Sequence, residues 1–297
     1  MANVWFNKLF LFMLILFSPL LYAQKHSCTL PNTIQSFVSQ KGVAYLKQYP
    51  DVRRNVKKLK NLCTYLLTFK EGQYRWDMLL VTHPQASHGA FWFLPHDNEN
   101  TAFDSAVYAV SKYGGGFLSV LSGGKRYHAG QDPNRNFAKS HHKLSSCRYQ
   151  KAASPIYTQN VFRIIDTFRG SGIPYLSLHN NTNGGGVSIL RSSKSVHSFL
   201  AYPLKEVKQG RGLKDEDSLI YMAGKASKPP KNKLNRLLKQ GINVKYEVVT
   251  PRNNDCSMSN YVVIGKGSTK YYNIEAQHGD AKTQRKMIDI LMGQMMR

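Results

Sequence analysis

From Tyr74 onward the chain alternates short apolar runs with longer segments whose apolar residues recur at helical spacing. Met78 to Val81 and Ala90 to Leu94 read as strands, and Thr101 to Tyr113 as a helix stopped by Gly114-Gly115-Gly116. Phe117 to Leu121 is the next strand, and a helix follows near Gln159 to Phe168. Further strands are predicted at Tyr175 to Leu178, Val187 to Leu190, Val244 to Val249, Tyr261 to Ile264 and Tyr271 to Ile274. A basic helix is predicted around Asn232 to Lys239, and an amphipathic helix, Ala281 to Met296, closes the chain. Strands alternating with helices predict an α/β fold: a mixed, largely parallel twisted sheet with helices on both faces. Before Tyr74, Phe37, Val38, Val43 and Leu46, then Val56, Leu59, Leu62 and Leu66, predict two short helices. The expected organisation is therefore an N-terminal helical segment, 24–72, followed by one domain, 73–297. Lys205 to Lys233 is polar and reads as a surface excursion.

Composition narrows the class. In 297 residues, 42% are hydrophobic, which excludes wholesale disorder, and four cysteines are too few for a small disulfide scaffold. Leu9 to Leu21 is an uninterrupted apolar run, shorter than the roughly 20 residues of a membrane span. It fits the apolar region of a signal peptide, residues 1–23, cleaved after Ala23. No second apolar run approaches spanning length, so the mature chain is expected to lack a transmembrane span and to be periplasmic or secreted. Cys28, Cys63, Cys147 and Cys256 would then meet an oxidising compartment, where two disulfides have three possible pairings. The 41 Lys+Arg against 17 Asp+Glu leave a formal net charge of +24, which attracts anionic polymers, membrane surfaces or acidic substrates. Export makes intracellular nucleic acid an unexpected partner.

Candidate chemistry gathers where predicted strands end. Ala90 to Leu94 runs into His96 and Glu99, an HxxE whose two side chains face the same way at a helix start and can clamp one divalent ion. In a chain with ten histidines such a pair also arises by chance. A second strand, Pro174 to Leu178, ends at His179, followed by Gly184 to Gly186. A third ligand from a separate strand end would complete a three-ligand site with an open position, the catalytic rather than structural zinc pattern. Asp132-Pro133-Asn134-Arg135-Asn136-Phe137, preceded by Lys125-Arg126, offers a guanidinium suited to a substrate carboxylate and an amide beside it, although Arg135 could equally be a structural ion-pair partner. Glu275 ends the strand Tyr271 to Ile274 and can reach an activated water.

This order of motifs, HxxE, then Asn134-Arg135-Asn136-Phe137, then a strand-end His and a late strand-end Glu, resembles the zinc carboxypeptidase family (metallopeptidase family M14, compact bacterial type), which includes aspartoacylase-type deacylases. The resemblance spans roughly Met78 to Gln277. It implies a single Zn²⁺ ion held by His96, Glu99 and His179. Asn134 and Arg135 would bind a substrate carboxylate, Arg126 would polarise the scissile carbonyl, and Glu275 would be the general base toward a zinc-activated water. The classical peptidases usually carry Arg immediately before the HxxE glutamate, where this chain has Asn98. The family's substrate-binding Tyr has four candidates here: Tyr246, Tyr261, Tyr271 and Tyr272.

The function expected from these features is an exported zinc amide hydrolase of carboxypeptidase type. Its substrate would be a peptide with a free carboxylate, and charge and export together favour peptidoglycan stem peptides. An N-acyl amino acid deacylase and a non-catalytic binder of anionic cell-wall polymer or lipid are the alternatives. Glu275 with His278 forms an ExxH, and His141-His142 lies near Cys147, but neither comes with a second strand-end ligand. His83, His88, His128 and His197 read as ordinary polar or loop residues. Neither glycine run precedes Lys-Ser/Thr, so they read as a helix stop and a site turn, and no Gly-x-Ser-x-Gly is present.

Overall fold

The computed structural model describes residues 28–138, 155–191 and 198–295. The expected signal peptide, 1–23, and His141, His142, Cys147 and His197 lie outside them. Among the described residues, ten strands form one mixed sheet, flanked by seven helices. Its centre is parallel: β5 (Gly116–Leu121), β4 (Phe91–Leu94), β6 (Tyr175–Asn181) and β10 (Tyr271–Gln277) lie side by side in that order. On one flank β3 (Tyr74–Thr82), β2 (Cys63–Glu71) and the edge strand β1 (Val38–Lys41) continue antiparallel. On the other flank β8 (Leu219–Gly224) pairs antiparallel with β10, β9 (Asn243–Val248) runs parallel to β8, and β7 (Phe199–Tyr202) closes the edge.

Alternating residues divide the sheet into two apolar layers. Trp92, Leu94, Leu176, Leu178, Ile274 and Val244 face one way and pack on α2 (Pro50–Leu59), α3 (Asn100–Tyr113), α5 (Lys231–Lys239) and α7 (Ala281–Met295). Phe91, Phe93, Tyr175 and Tyr271 face the other way, against α1 (Asn32–Gln35), α4 (Pro155–Phe168) and α6 (Met258–Ile264). Helices thus cover both faces, as the alternation predicts. Gly115 permits the close strand approach behind β4. Its φ is +75°, and a Cβ there would lie 1.9 Å from the Ala90 carbonyl oxygen.

Five sequence-based assignments are corrected. In the segment expected to hold two helices, only α2 stands: the first region is the edge strand β1 and a 3₁₀ turn at Val43–Leu46, and Leu66 belongs to β2. The apolar spacing there is compatible with both periods, and pairing of β1 and β2 with the central sheet decides it. The 24–72 segment is therefore not a helical addition, because β2 supplies an interior strand of the same sheet. Tyr261 to Ile264, expected as a strand, is the end of α6, whose start is capped by the Ser257 hydroxyl accepting from the Asn260 N–H. Val187 to Leu190 is a turn, and the supposed surface excursion 205–233 contains β8, buried between β9 and β10. β8 is a six-residue apolar run inside an otherwise polar stretch, and the apolar residues at 187–190 are too few to fix a strand without a pairing partner.

Cys28 and Cys63 form a disulfide that ties the segment before α1 to the first residue of β2 across 35 residues, and Cys256 is also disulfide-bonded. Closing a loop of that length lowers unfolded-chain entropy by about 3–4 kcal/mol at room temperature. Replacing both Cys28 and Cys63 by Ala is expected to lower unfolding stability by up to that amount in urea titration, with the rest of the sheet retained by circular dichroism.

Candidate metal centre

The three expected ligands arrive from two adjacent parallel strands. β4 ends at Leu94 and delivers His96 and Glu99 just before α3, and neighbouring β6 carries His179 near its end. This is the carboxyl edge of the parallel strands, where sites in open α/β sheets form. One ligand atom from each of His96, Glu99 and His179 lies within 4.8 Å of the others, and all three residues are buried. It is the one such group of three among the described residues.

Glu99 is the hub. Its Oε1 lies 2.7 Å from His96 Nδ1 and its Oε2 lies 3.1 Å from His179 Nδ1, while the Asn180 N–H donates to Oε2 at 3.0 Å. Burial opposes ionisation of this carboxyl, but the two imidazoles outweigh it and hold the group well below the usual carboxylate range. Asn180 also satisfies the first turn of α3, its side-chain oxygen accepting from the Ala102 N–H at 2.9 Å. One residue after the His179 ligand thus fixes both the Glu99 oxygen and the helix that begins beside it.

The outer nitrogen of His96 is held by Asp132, whose Oδ1 accepts from Nε2 at 2.9 Å. That bond turns Nδ1 toward Glu99 and His179. A carboxylate behind a histidine ligand sets the ring's orientation and tautomer. Burial works against the Asp132 charge, but the hydrogen bond and charge of His96, with Arg126 and Arg135 nearby, keep it ionised well below the ordinary range. Asp132 sits at the start of the 3₁₀ turn Pro133–Arg135 and accepts from the Asn134 N–H at 2.8 Å. The sequence displays Asp132 beside Asn134-Arg135, yet nothing in its spacing tells that it supports His96 across 36 residues.

The expected basic residues enter the same space. Arg126 is half-exposed; its Nη1 donates to Glu99 Oε1 at 3.2 Å and its Nη2 to Asp132 Oδ2 at 3.4 Å. The loop before it is tied down by Asp97, which accepts from the Ser122 and Gly124 N–H groups at 2.7 Å each. Arg135 pairs with Asp255 through Nε at 3.1 Å and donates from Nη1 to the Asn134 carbonyl. The Asn134 side-chain oxygen accepts from the Met258 N–H, which binds this loop to α6.

Register places the last candidate. Parallel pairing sets Glu275 of β10 directly opposite His179 of β6. Glu275 is buried and accepts from Asn273 at 2.8 Å. Burial, reinforced by the Glu99 charge, pushes its pKa above the usual value; His179 and the Asn273 hydrogen bond offset only part of that rise. The same sheet face carries Ser177 and His179 on β6, Asn273 and Glu275 on β10, Tyr221 on β8, and Lys245 and Glu247 on β9. This is a buried polar band in the layer elsewhere filled by aromatics.

The competing histidines do not join. His83 accepts from the Gln85 and Ala86 N–H groups, His88 contacts Ser87, and His128 stacks on Trp76 with ring centres 4.6 Å apart. His278, the partner of Glu275 in the ExxH, is outside the ligand group. Of the tyrosine candidates, Tyr271 bonds Ser177, Tyr246 donates to the Ala226 carbonyl, Tyr272 packs in the α7 layer, and Tyr261 packs on Phe162.

The two inward nitrogens and the carboxylate fit a divalent cation: three N/O donors converge from rigid strand ends, and one histidine is already oriented from behind. Replacing Asp132 by Ala is expected to weaken divalent-metal affinity ten- to hundredfold in chelator competition, while His96→Ala abolishes stoichiometric binding.

No family model matches the sequence, and no curated protein does. Among solved structures, the chain is similar to a Shewanella denitrificans protein that carries a provisional metallopeptidase name, at 12% identity over 86% of this chain and 90% of that one, TM-score 0.44. It is also similar to murein-tripeptide amidase MpaA from Escherichia coli O157, at 14% identity over 74% and 84% of the two chains, TM-score 0.38. A third is a metallo-carboxypeptidase from Burkholderia cenocepacia, at 10% identity over 84% and 66%, TM-score 0.42.

Proposed function

We propose that the protein is an exported zinc-dependent amide hydrolase of carboxypeptidase type. The observation that carries this reading is the registry of Glu275 with His179, which pairs a buried carboxylate outside the ligand trio with one member of the His96-Glu99-His179 group. Two imidazoles and one carboxylate are a donor set suited to zinc with positions left for water and substrate. A zinc ion bound there would supply Lewis acidity toward water and the scissile carbonyl.

The chain's own groups account for the remaining chemistry. Glu275, held by Asn273 and lifted in pKa by burial, takes the proton from the attacking water and passes it to the leaving amine. The Arg126 guanidinium, half-exposed beside Glu99, donates to the carbonyl oxygen as negative charge develops there. Arg135 and Asn134 take the substrate's terminal carboxylate and orient the amide.

The substrate class we favour is a peptide with a free carboxylate, as in peptidoglycan stem peptides. The +24 charge favours an anionic polymer, and the disulfide bonding of Cys28, Cys63 and Cys256 favours an oxidising, exported location. Incubation with peptidoglycan fragments and with N-acyl amino acids, read by product mass, distinguishes this reading from the deacylase one. Cleavage of neither substrate would remove hydrolysis altogether and leave the binder.

Glu275→Gln is expected to keep one equivalent of metal and to lose hydrolysis by at least about a hundredfold in kcat; a fully active variant removes Glu275 as the base. The same variant tests the electrostatics. Because the native state raises the Glu275 pKa, it binds that proton more tightly than the unfolded chain does. Native stability therefore falls as pH rises above the ordinary Glu value of about 4.3. In metal-free protein, Glu275→Gln is expected to be at least as stable as wild type at pH 7, with a shallower stability loss between acidic and neutral pH in urea titrations.

A further inference from the structure

Among the described residues, Lys245 is a buried cation that makes no ion pair. Its position on β9 follows Val244 and precedes Tyr246, both packed into the α5 and α7 layer, so alternation turns Lys245 to the opposite face, that of Glu275. It is 7% exposed. Its ammonium donates to the Gly186 and Val187 carbonyls, each at 3.4 Å, and stands 5.3 Å from the centre of the Phe199 ring. Both carbonyls belong to the turn after the His179 strand. The acid two residues along, Glu247, does not neutralise it: its oxygens accept from Ser259 at 3.0 Å and Asn260 at 2.8 Å, anchoring α6. Burial draws the Lys245 pKa down, partly offset by the Glu275 and Glu247 charges.

Taking an ammonium out of water with only two long carbonyl hydrogen bonds is costly, and a structural role would call for an apolar side chain or a paired one. The location supplies a reason. Register aligns Lys245 with Tyr221 and, through it, with Asn273, one row from Glu275. With strands about 4.8 Å apart, the Lys245 backbone is roughly 10 Å from that of Asn273, and the long side chain shortens the gap. The Asn273 side-chain oxygen is buried with no hydrogen-bond partner among the described residues, so a polar acceptor also waits in this part of the band. Arg135 is nearby: burial opposes its charge, and Asp255, Asp132, Tyr221 and Glu247 act in its favour, two of which, Tyr221 and Glu247, belong to this band.

We propose that Lys245 is a specificity residue that receives a second carboxylate of the leaving amino acid, so that the protein favours substrates ending in a dicarboxylic residue. This rests on the hydrolase reading above for its placement on the leaving side. Arg135 takes the terminal carboxylate and Lys245 the one carried by the side chain, while Asn273 accepts from any donor beside it. A terminal residue with an apolar or purely cationic side chain would leave the Lys245 ammonium buried beside it and uncompensated.

Binding of the free amino acids tests the inference apart from hydrolysis. Isothermal titration of the zinc-loaded protein with L-aspartate, L-glutamate, meso-diaminopimelate, L-phenylalanine and L-lysine is expected to show at least about tenfold tighter binding of one or more dicarboxylic members than of phenylalanine or lysine. The three dicarboxylic ligands separate a short side chain from a long one. Lys245→Met should abolish that preference and Lys245→Arg should retain it, with thermal unfolding confirming that each variant is folded. Equal binding of all five by wild type overturns the proposal, as does a Lys245→Met variant that keeps the preference. If Lys245→Met does not fold, the wild-type ranking and the Lys245→Arg ranking still decide. Failure to cleave any peptide, with the dicarboxylic preference intact, would count against the hydrolase reading and leave the Lys245 assignment standing.

Discussion

The pairing of β6 with β10 is the constraint on which the site depends. These strands are parallel and in continuous register from Tyr175 opposite Tyr271 to Asn181 opposite Gln277, and that register alone puts His179 beside Glu275. A slip by one residue would turn Glu275 into the apolar layer of α3 and α7 and expose Ile274 to the polar band. Ile274, Leu176 and Leu178 are fully buried on the first layer, so the slip would also strip a continuous apolar surface. The registry of the site is therefore enforced by packing on the face away from its polar groups.

Charge compensation within the site depends on the same arrangement. Glu99 and Asp132 are buried carboxylates kept ionised by neighbouring imidazoles and guanidinium groups, whereas Glu275, two side chains away, is pushed the opposite way. Carboxylates of one type thus acquire different roles from their surroundings: two suited to holding fixed charge and one suited to exchanging a proton. The difference traces to partners, since Glu99 has two histidines, the Arg126 guanidinium and an N–H on its oxygens and Glu275 has a single neutral amide.

Much of this was legible in the sequence because the central strands are short, rich in apolar residues on at least one face, and run into polar residues at the site edge. β4, β5, β6 and β10 read correctly, and His96, Glu99, His179 and Glu275 stand at the ends where those strands were expected to deliver them. The flanks were less legible for two physical reasons. On one flank β9 is where the strand Val244 to Val249 was expected in spite of Lys245 and Glu247, but β8, the short apolar run Leu219–Gly224, lies inside the polar stretch 205–233 that masks it. At the other edge, β1 is a four-residue strand with a largely exposed pattern, and only its pairing with β2 distinguishes it from a helix. Asp132 was visible but mute, since its bond to His96 Nε2 depends on a loop conformation that no periodicity encodes.

The polar band also explains why the second apolar layer is discontinuous. Aromatic residues Phe91, Phe93, Phe137, Tyr157 and Phe162 fill that layer on the β4 side, and across β10 and β9 their place is taken by Asn273, Lys245 and Glu247, with Tyr221 of β8 between them. A sheet face that exchanges apolar contacts for buried charge gives up hydrophobic stabilisation across those strands. The charges lean on neighbouring segments to remain there: Glu247 on α6, Arg135 on Asp255, and Lys245 on the turn after His179. Each of those supports is a loop or a helix start outside the sheet. The sheet therefore sets where the polar groups stand, and the surrounding loops set which partners their atoms meet.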